Sequence, residues 1–204
     1  MFLASMKDDI IRLKRERILE AARDLFSEYG YQGTTLDQVA DRLEVTKPFI
    51  YSHFKSKAEI LGELTQRGIL APLDAVRRAE EIGGDPKTRL TNLVHGFAEA
   101  VVAHQGEIAV SNREKNYVPM ESRQKLKELQ IEFDRGLAAI LQDGIDNGQF
   151  EIDDLGLTVL SIGGMMIWPY SWYQPGGRLS TRELGDGLAK LVLRMVCVQD
   201  IVGG

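Results

Sequence analysis

Apolar residues recur along this chain at spacings of three and four, and no stretch alternates long enough to predict a strand. Between Asp8 and Tyr29 the residues Ile18, Ala22, Leu25, Phe26 and Tyr29 line one stripe of a first helix, and Gly30 supplies its stop. Thr35-Leu36-Asp37-Gln38 forms a capping box: the Thr35 hydroxyl takes an open first-turn amide while Gln38 reaches back. Leu36, Val39, Ala40 and Leu43 then predict a short helix with one narrow apolar face, which must lean on a neighbour. The pattern breaks at Glu44-Val45, and Thr46 with Pro48 in the first turn predicts a second short helix to about His53. Two short helices joined by a turn of about three residues match the helix-turn-helix unit, whose second helix enters the DNA major groove.

Longer helices follow. Ser56-Lys57-Ala58-Glu59 is a second capping box, opening a helix to about Ile82 that ends at Gly83-Gly84 and is weakened by Gly62, Gly68 and Pro72. Asp85-Pro86 begins another, to about Gln105, with Leu90, Leu93, Val94, Phe97, Val101 and Val102 on its buried face. Ile108 to Val118 is a short irregular or helical connection, polar from Ser111 to Asn116, and Pro119 starts a helix that runs to Asp146 and stops at Asn147-Gly148. Asp153 or Asp154 caps a helix that is apolar almost all round up to Trp168, so protein or a partner must surround it. The last helix opens at Ser180-Thr181-Arg182-Glu183, with Leu184, Leu188, Leu191, Val192 and Met195 as its stripe. The fold class is all-α, with about nine helices: a three-helix unit over residues 1–57 and a larger bundle over 58–204.

Charge changes the picture in one respect. The formal net charge is -5, yet residues 1–57 carry ten Lys and Arg against nine Asp and Glu. From Val45 to Lys57 there are Lys47, Lys55, Lys57 and His53 but no acid. A phosphate backbone favours such a surface, since each ammonium releases a condensed counterion and each carboxylate would repel.

The run Val45-Thr46-Lys47-Pro48-Phe49-Ile50-Tyr51-Ser52-His53-Phe54-Lys55-Ser56-Lys57 resembles the TetR family of transcriptional regulators, as do Ala21-Ala22 to Phe26, Tyr29-Gly30-Tyr31 and Thr34-Thr35-Leu36. Glu44 departs from it, standing where many relatives carry glycine in the turn. The resemblance implies a helix-turn-helix DNA-binding domain at 1–57 and a ligand-binding and dimerisation domain at 58–204. It implies a homodimer on an inverted-repeat operator, with recognition helices about 34 Å apart. Lys47, Pro48 and Phe49 would then face bases, Thr46 base or backbone, and Thr35, Tyr51, His53, Lys55 and Lys57 phosphates. Ile50 and Phe54 are expected in the core.

The run Trp168-Pro169-Tyr170-Ser171-Trp172-Tyr173-Gln174-Pro175-Gly176-Gly177-Arg178-Leu179-Ser180 is similar to that of TetR members controlling fatty-acid or sterol breakdown, several of which respond to acyl-CoA thioesters. The resemblance implies a small hydrophobic or acyl-CoA-type effector, with Trp168, Trp172, Met165, Phe97 and Arg113 as candidate contacts. Trp168 and Trp172, four apart, line either that pocket or a subunit seam.

Other chemistry finds little support. Cys197 lies among apolar residues, no G-x-x-x-x-G-K loop occurs, and His95 and His104 fall on opposite sides of their helix. No catalytic residue, metal or cofactor is expected. The opening six residues are short for a signal peptide and no apolar run suffices for a membrane span, which points to the cytoplasm. The alternative is a small helical ligand-binding protein or enzyme without DNA binding. Salt-titrated binding to random duplex DNA separates the two.

Overall fold

The computed structural model describes residues 2–197, with side chains from Met6 onward. Among these residues the expected all-α fold holds. In chain order the helices are α1 (Phe2–Gly33), α2 (Leu36–Arg42), α3 (Lys47–Tyr51), α4 (Lys57–Ile82), α5 (Pro86–Ala103), α6 (Gln105–Arg113), α7 (Met120–Asp146), α8 (Leu155–Ile167) and α9 (Thr181–Val196). A single 3-10 turn, Trp168–Ser171, follows α8, and Phe150 and Cys197 form an isolated bridge. No helix among the described residues is long and apolar enough to cross a membrane.

Local signals start and stop these helices much as the pattern predicts. Thr35 accepts from Gln38 N and Gln38 from Thr35 N, closing the box at α2, and Ser180 with Glu183 does the same at α9. Ser56 accepts from Glu59 N, but Glu59 reaches back to Lys55 N instead of Ser56, so the box at α4 is offset by one residue. Gly30 takes φ 78, a left-handed conformation that glycine adopts without steric cost, and it interrupts α1 at the expected stop. Glu44 holds φ 55 in the α2–α3 turn without being glycine, at a cost of about 1 kcal/mol.

The chain divides into two compact units. One comprises the chain up to Arg67 together with Gly106–Lys125, the other Gly68–Gln105 together with the chain from Leu126. In the first, Ile18, Ala22, Leu25 and Phe26 of α1 are buried with Val39 and Ala40 of α2, and with Ile50 and Phe54. Tyr29 departs from its expected place in the α1 stripe and is half exposed, while Leu19 and Ala21 are buried. A second neighbour meets the helix as well: Glu107 and Arg113 of α6 hold α1 through Arg23 and the carbonyls of Phe26 and Ser27. A helix covered on two sides buries more than one stripe.

In the second unit α5 packs against α9, α8 and the 3-10 turn. Leu90, Leu93, Val94, Phe97, Ala98 and Val101 form its buried face. Gln105 donates to the carbonyls of Tyr170 and Tyr173, at 2.9 and 2.8 Å, and so fixes the chain after the 3-10 turn. The α7 helix closes on Phe150 where Gly144 leaves no side chain: a Cβ there would lie 1.9 Å from the Phe150 ring. Apolar on most sides, α8 buries Val159, Ile162 and Met166 and leaves Leu157 and Leu160 in solvent. On α9, Leu191 and Met195 are likewise exposed, although the stripe predicts them inside.

Candidate nucleic-acid interface

The short α3 sorts its side chains cleanly. Ile50 and, just beyond the helix, Phe54 are buried, while Thr46, Lys47, Pro48, Tyr51 and Lys55 are exposed. Thr46 occupies the N-cap position in extended conformation but makes no side-chain capping bond, so its hydroxyl has no helix-capping duty. Lys47 Nζ lies 2.8 Å from Asp37 Oδ2 on α2, and this contact raises the lysine's pKa. The segment without acids in sequence therefore has a carboxylate beside it in space.

Helix α1 contributes to the same surface. The Lys14 ammonium stands 5.6 Å from the centre of the Phe49 ring, within cation–π range. Arg15 points the other way, its guanidinium 4.0 Å from the centre of the Phe54 ring; it donates to the His53 carbonyl and pairs with Glu63. Arg67 completes that network with Glu16 and Glu63, and the Glu16 hydrogen bond raises the arginine's pKa while lowering the carboxylate's. Arg15 thus ties α1 to the segment after α3 and to α4.

Two of the expected phosphate contacts, Lys57 and His53, make hydrogen bonds within their own unit. Lys57 Nζ donates to the carbonyls of Tyr31 and Thr34, both at 2.6 Å, and sits 4.4 Å from the centre of the Tyr31 ring. Burial lowers its pKa, partly opposed by Glu114. Two of its three N–H groups thus close the loop after Gly30. His53 shares Nδ1 between Ser52 Oγ at 2.7 Å and the Phe49 carbonyl at 3.1 Å, and its Nε2 is buried. The ring packs 4.8 Å from that of Phe49 and braces it, leaving neither nitrogen for a phosphate. Thr35 is exposed, its hydroxyl engaged with Gln38.

The segment from α6 to the start of α7 belongs to this unit, and the hydrophobic pattern gives no sign of it. Arg113 donates to the carbonyls of Phe26 at 2.6 Å and Ser27 at 2.8 Å, at the end of the regular part of α1, where carbonyls lack helical partners. Glu114, its side chain 8% exposed, accepts from Arg113 Nε at 2.9 Å and from Tyr31 N at 3.2 Å. Tyr117 stacks on Tyr31 with ring centres 5.3 Å apart. Arg113, one of the five candidate ligand contacts, therefore braces α1 within the first unit, and four others remain.

Those four lie in the second unit. Phe97 is buried edge-to-face on Phe133, a core contact. Met165 is half-buried, and Trp168 and Trp172 are 59% and 47% exposed. Trp172 borders a cleft of about 210 Å³ with Tyr173, Gln174, Gly177, Arg178 and Leu179.

A three-helix head whose second short helix carries no acid and turns Lys47, Pro48 and Tyr51 outward is the apparatus of a DNA-binding transcriptional regulator. The chain belongs to the TetR family: residues 18–64 match the model for bacterial regulatory proteins of the tetR family, and residues 83–196 match the tetracyclin repressor-like C-terminal domain. It is similar to the HTH-type transcriptional repressor KstR2 of Rhodococcus jostii (strain RHA1), 31% identical over 90% of this chain and 89% of that protein. The TetR family transcriptional regulator PfmR from Thermus thermophilus superposes with a TM-score of 0.81 at 30% identity, over 87% of this chain and 97% of that one. KstR2 of Mycobacterium tuberculosis shares the fold, with a TM-score of 0.82 at 24% identity, over 91% and 95%.

Proposed function

We propose that this regulator is a cytoplasmic, homodimeric repressor that binds an inverted-repeat operator and is released by a small hydrophobic effector. The observation that carries the DNA reading is the sorting of α3, with Ile50 inward and Thr46, Lys47, Pro48 and Tyr51 outward. Lys47, Pro48 and Phe49 face the bases, Lys47 aimed at guanine O6 or N7 and the Phe49 ring at a thymine methyl. Thr35, Thr46, Tyr51 and Lys55 hold the backbone.

Two substitutions separate these roles. Lys47→Ala is expected to relax base preference at one position of each half-site. Lys55→Ala should weaken all duplexes alike and flatten the slope of log affinity against log salt by about one. Gel-shift titrations over a salt series, with the duplex selected by the wild-type protein and with random duplex, give both readouts. Equal effects of the two changes refute the assignment.

Pairing through α8 and α9 is supported by the solvent-facing Leu157, Leu160 and Trp168 and by Leu191 and Met195. The exposure of Trp168 and Trp172 favours the seam over the pocket. An effector of the acyl-CoA thioester class is supported by the likeness of the Trp168–Ser180 run. A thioester that binds the DNA-free form better must raise the melting temperature and weaken operator binding by its ratio of affinities for the two forms. Melting the protein against a series of acyl-CoA thioesters and free acids, followed by operator binding with each hit, checks this. Hits that leave operator affinity unchanged eliminate the compound as effector.

A further inference from the structure

Asp37 is a carboxylate beside the surface that α3 presents. It lies in the first turn of α2, but the cap there is made by Thr35 and Gln38. Its side chain is 59% exposed and its visible partner is Lys47 Nζ, from the first turn of α3, at 2.8 Å. An acid beside a polyanion repels it, so a carboxylate at this place lowers affinity for every duplex unless its contact with Lys47 returns something sequence-dependent.

The pair has that property. A lysine ammonium has three donors on a flexible stem, and an unrestrained one takes whichever phosphate lies nearest. With one N–H on Asp37, Lys47 is held at the start of α3 with two N–H groups left to donate. Taking a phosphate instead would cost the ion pair and bring the Asp37 carboxylate close to the backbone. Reading a guanine costs neither. We propose that Asp37 is a specificity-determining residue: by tethering Lys47 it suppresses binding to non-cognate DNA while sparing the cognate contact.

This rests on the reading that α3 enters the major groove with Lys47 toward the bases. The test uses the full chain, a random-sequence duplex, and the duplex that the wild-type protein selects from a randomised pool. Asp37→Asn keeps the shape and removes the charge. It is expected to tighten random-duplex binding by about three- to ten-fold, steepen its salt slope by about one, and change the selected duplex by less than about two-fold. With Lys47→Ala already in place, Asp37→Asn should leave the salt slope unchanged, since the tethered cation is gone.

Three results overturn the proposal: no change on either duplex, an equal loss on both together with a lower melting temperature, or a selective loss on the selected duplex. The second would make Asp37 a structural residue of α2, and the third a direct reader accepting from cytosine N4. A wild-type protein that binds neither duplex with salt-dependent affinity would sink the DNA reading itself, an outcome distinguishable from all three.

Discussion

Leu160→Glu is expected to yield a folded monomer that holds an inverted-repeat duplex at least about 100-fold more weakly than the parent. Leu160 is 65% exposed within the protomer, so a glutamate there displaces no packing of its own subunit. In a pair formed through α8 the same position would meet a second copy, and a carboxylate desolvated without a partner costs several times what a lost apolar contact costs. Two heads joined in one molecule bind a two-half-site duplex with the second contact made intramolecularly, which is worth about 10²–10⁴ in avidity. Losing the pair forfeits that factor without touching α3. Light scattering or sedimentation reports the mass, circular dichroism the helix content, and a single half-site duplex the integrity of the head. A variant that remains dimeric would move the seam away from Leu160.

Glu114→Ala should destabilise the DNA-reading unit by about 2–3 kcal/mol, the usual cost of removing a buried, charge-assisted acceptor. The carboxylate serves Tyr31 N and Arg113 Nε. Without it a backbone amide of the loop after Gly30 loses its partner. Arg113 is half exposed and stays solvated, which keeps the loss below that of a fully buried pair. Glu114→Gln retains an acceptor and is expected to lose about half as much. Thermal unfolding gives the stability and duplex titration the consequence, since Lys57 anchors the same loop through Tyr31 and Thr34. An unchanged melting temperature for the alanine variant would show that the α6 segment is not needed to hold the head.

The two predictions draw on different kinds of information. That Leu160 stands uncovered comes from the structure, but the need of its helix for a covering partner could be read from the chain alone, because that helix is apolar almost all round. Glu114 could not. Tyr31 lies 83 residues away in sequence, and a hydrogen bond across that distance leaves no periodicity.

The same division runs through the whole protein. Helix starts and stops are decided within about four residues, by hydroxyls, carboxylates, glycine and proline acting on backbone groups next to them. Thr35, Asp85, Asp154, Ser180, Gly30 and Gly148 all act where the pattern puts them. The helix-turn-helix and its outward Lys47, Pro48 and Tyr51 were legible for that reason, together with the family motif around them. What a charged side chain does once the chain is closed depends on neighbours brought in by folding. Only the tertiary structure turned Lys57 inward onto two carbonyls, laid Arg15 on Phe54, buried His53 Nε2, set Arg113 to hold α1 and placed Asp37 against Lys47. Charge count and spacing measure how much of each sign a segment carries. Which of those charges meets solvent, and which meets a partner, is fixed by packing between residues far apart in the chain.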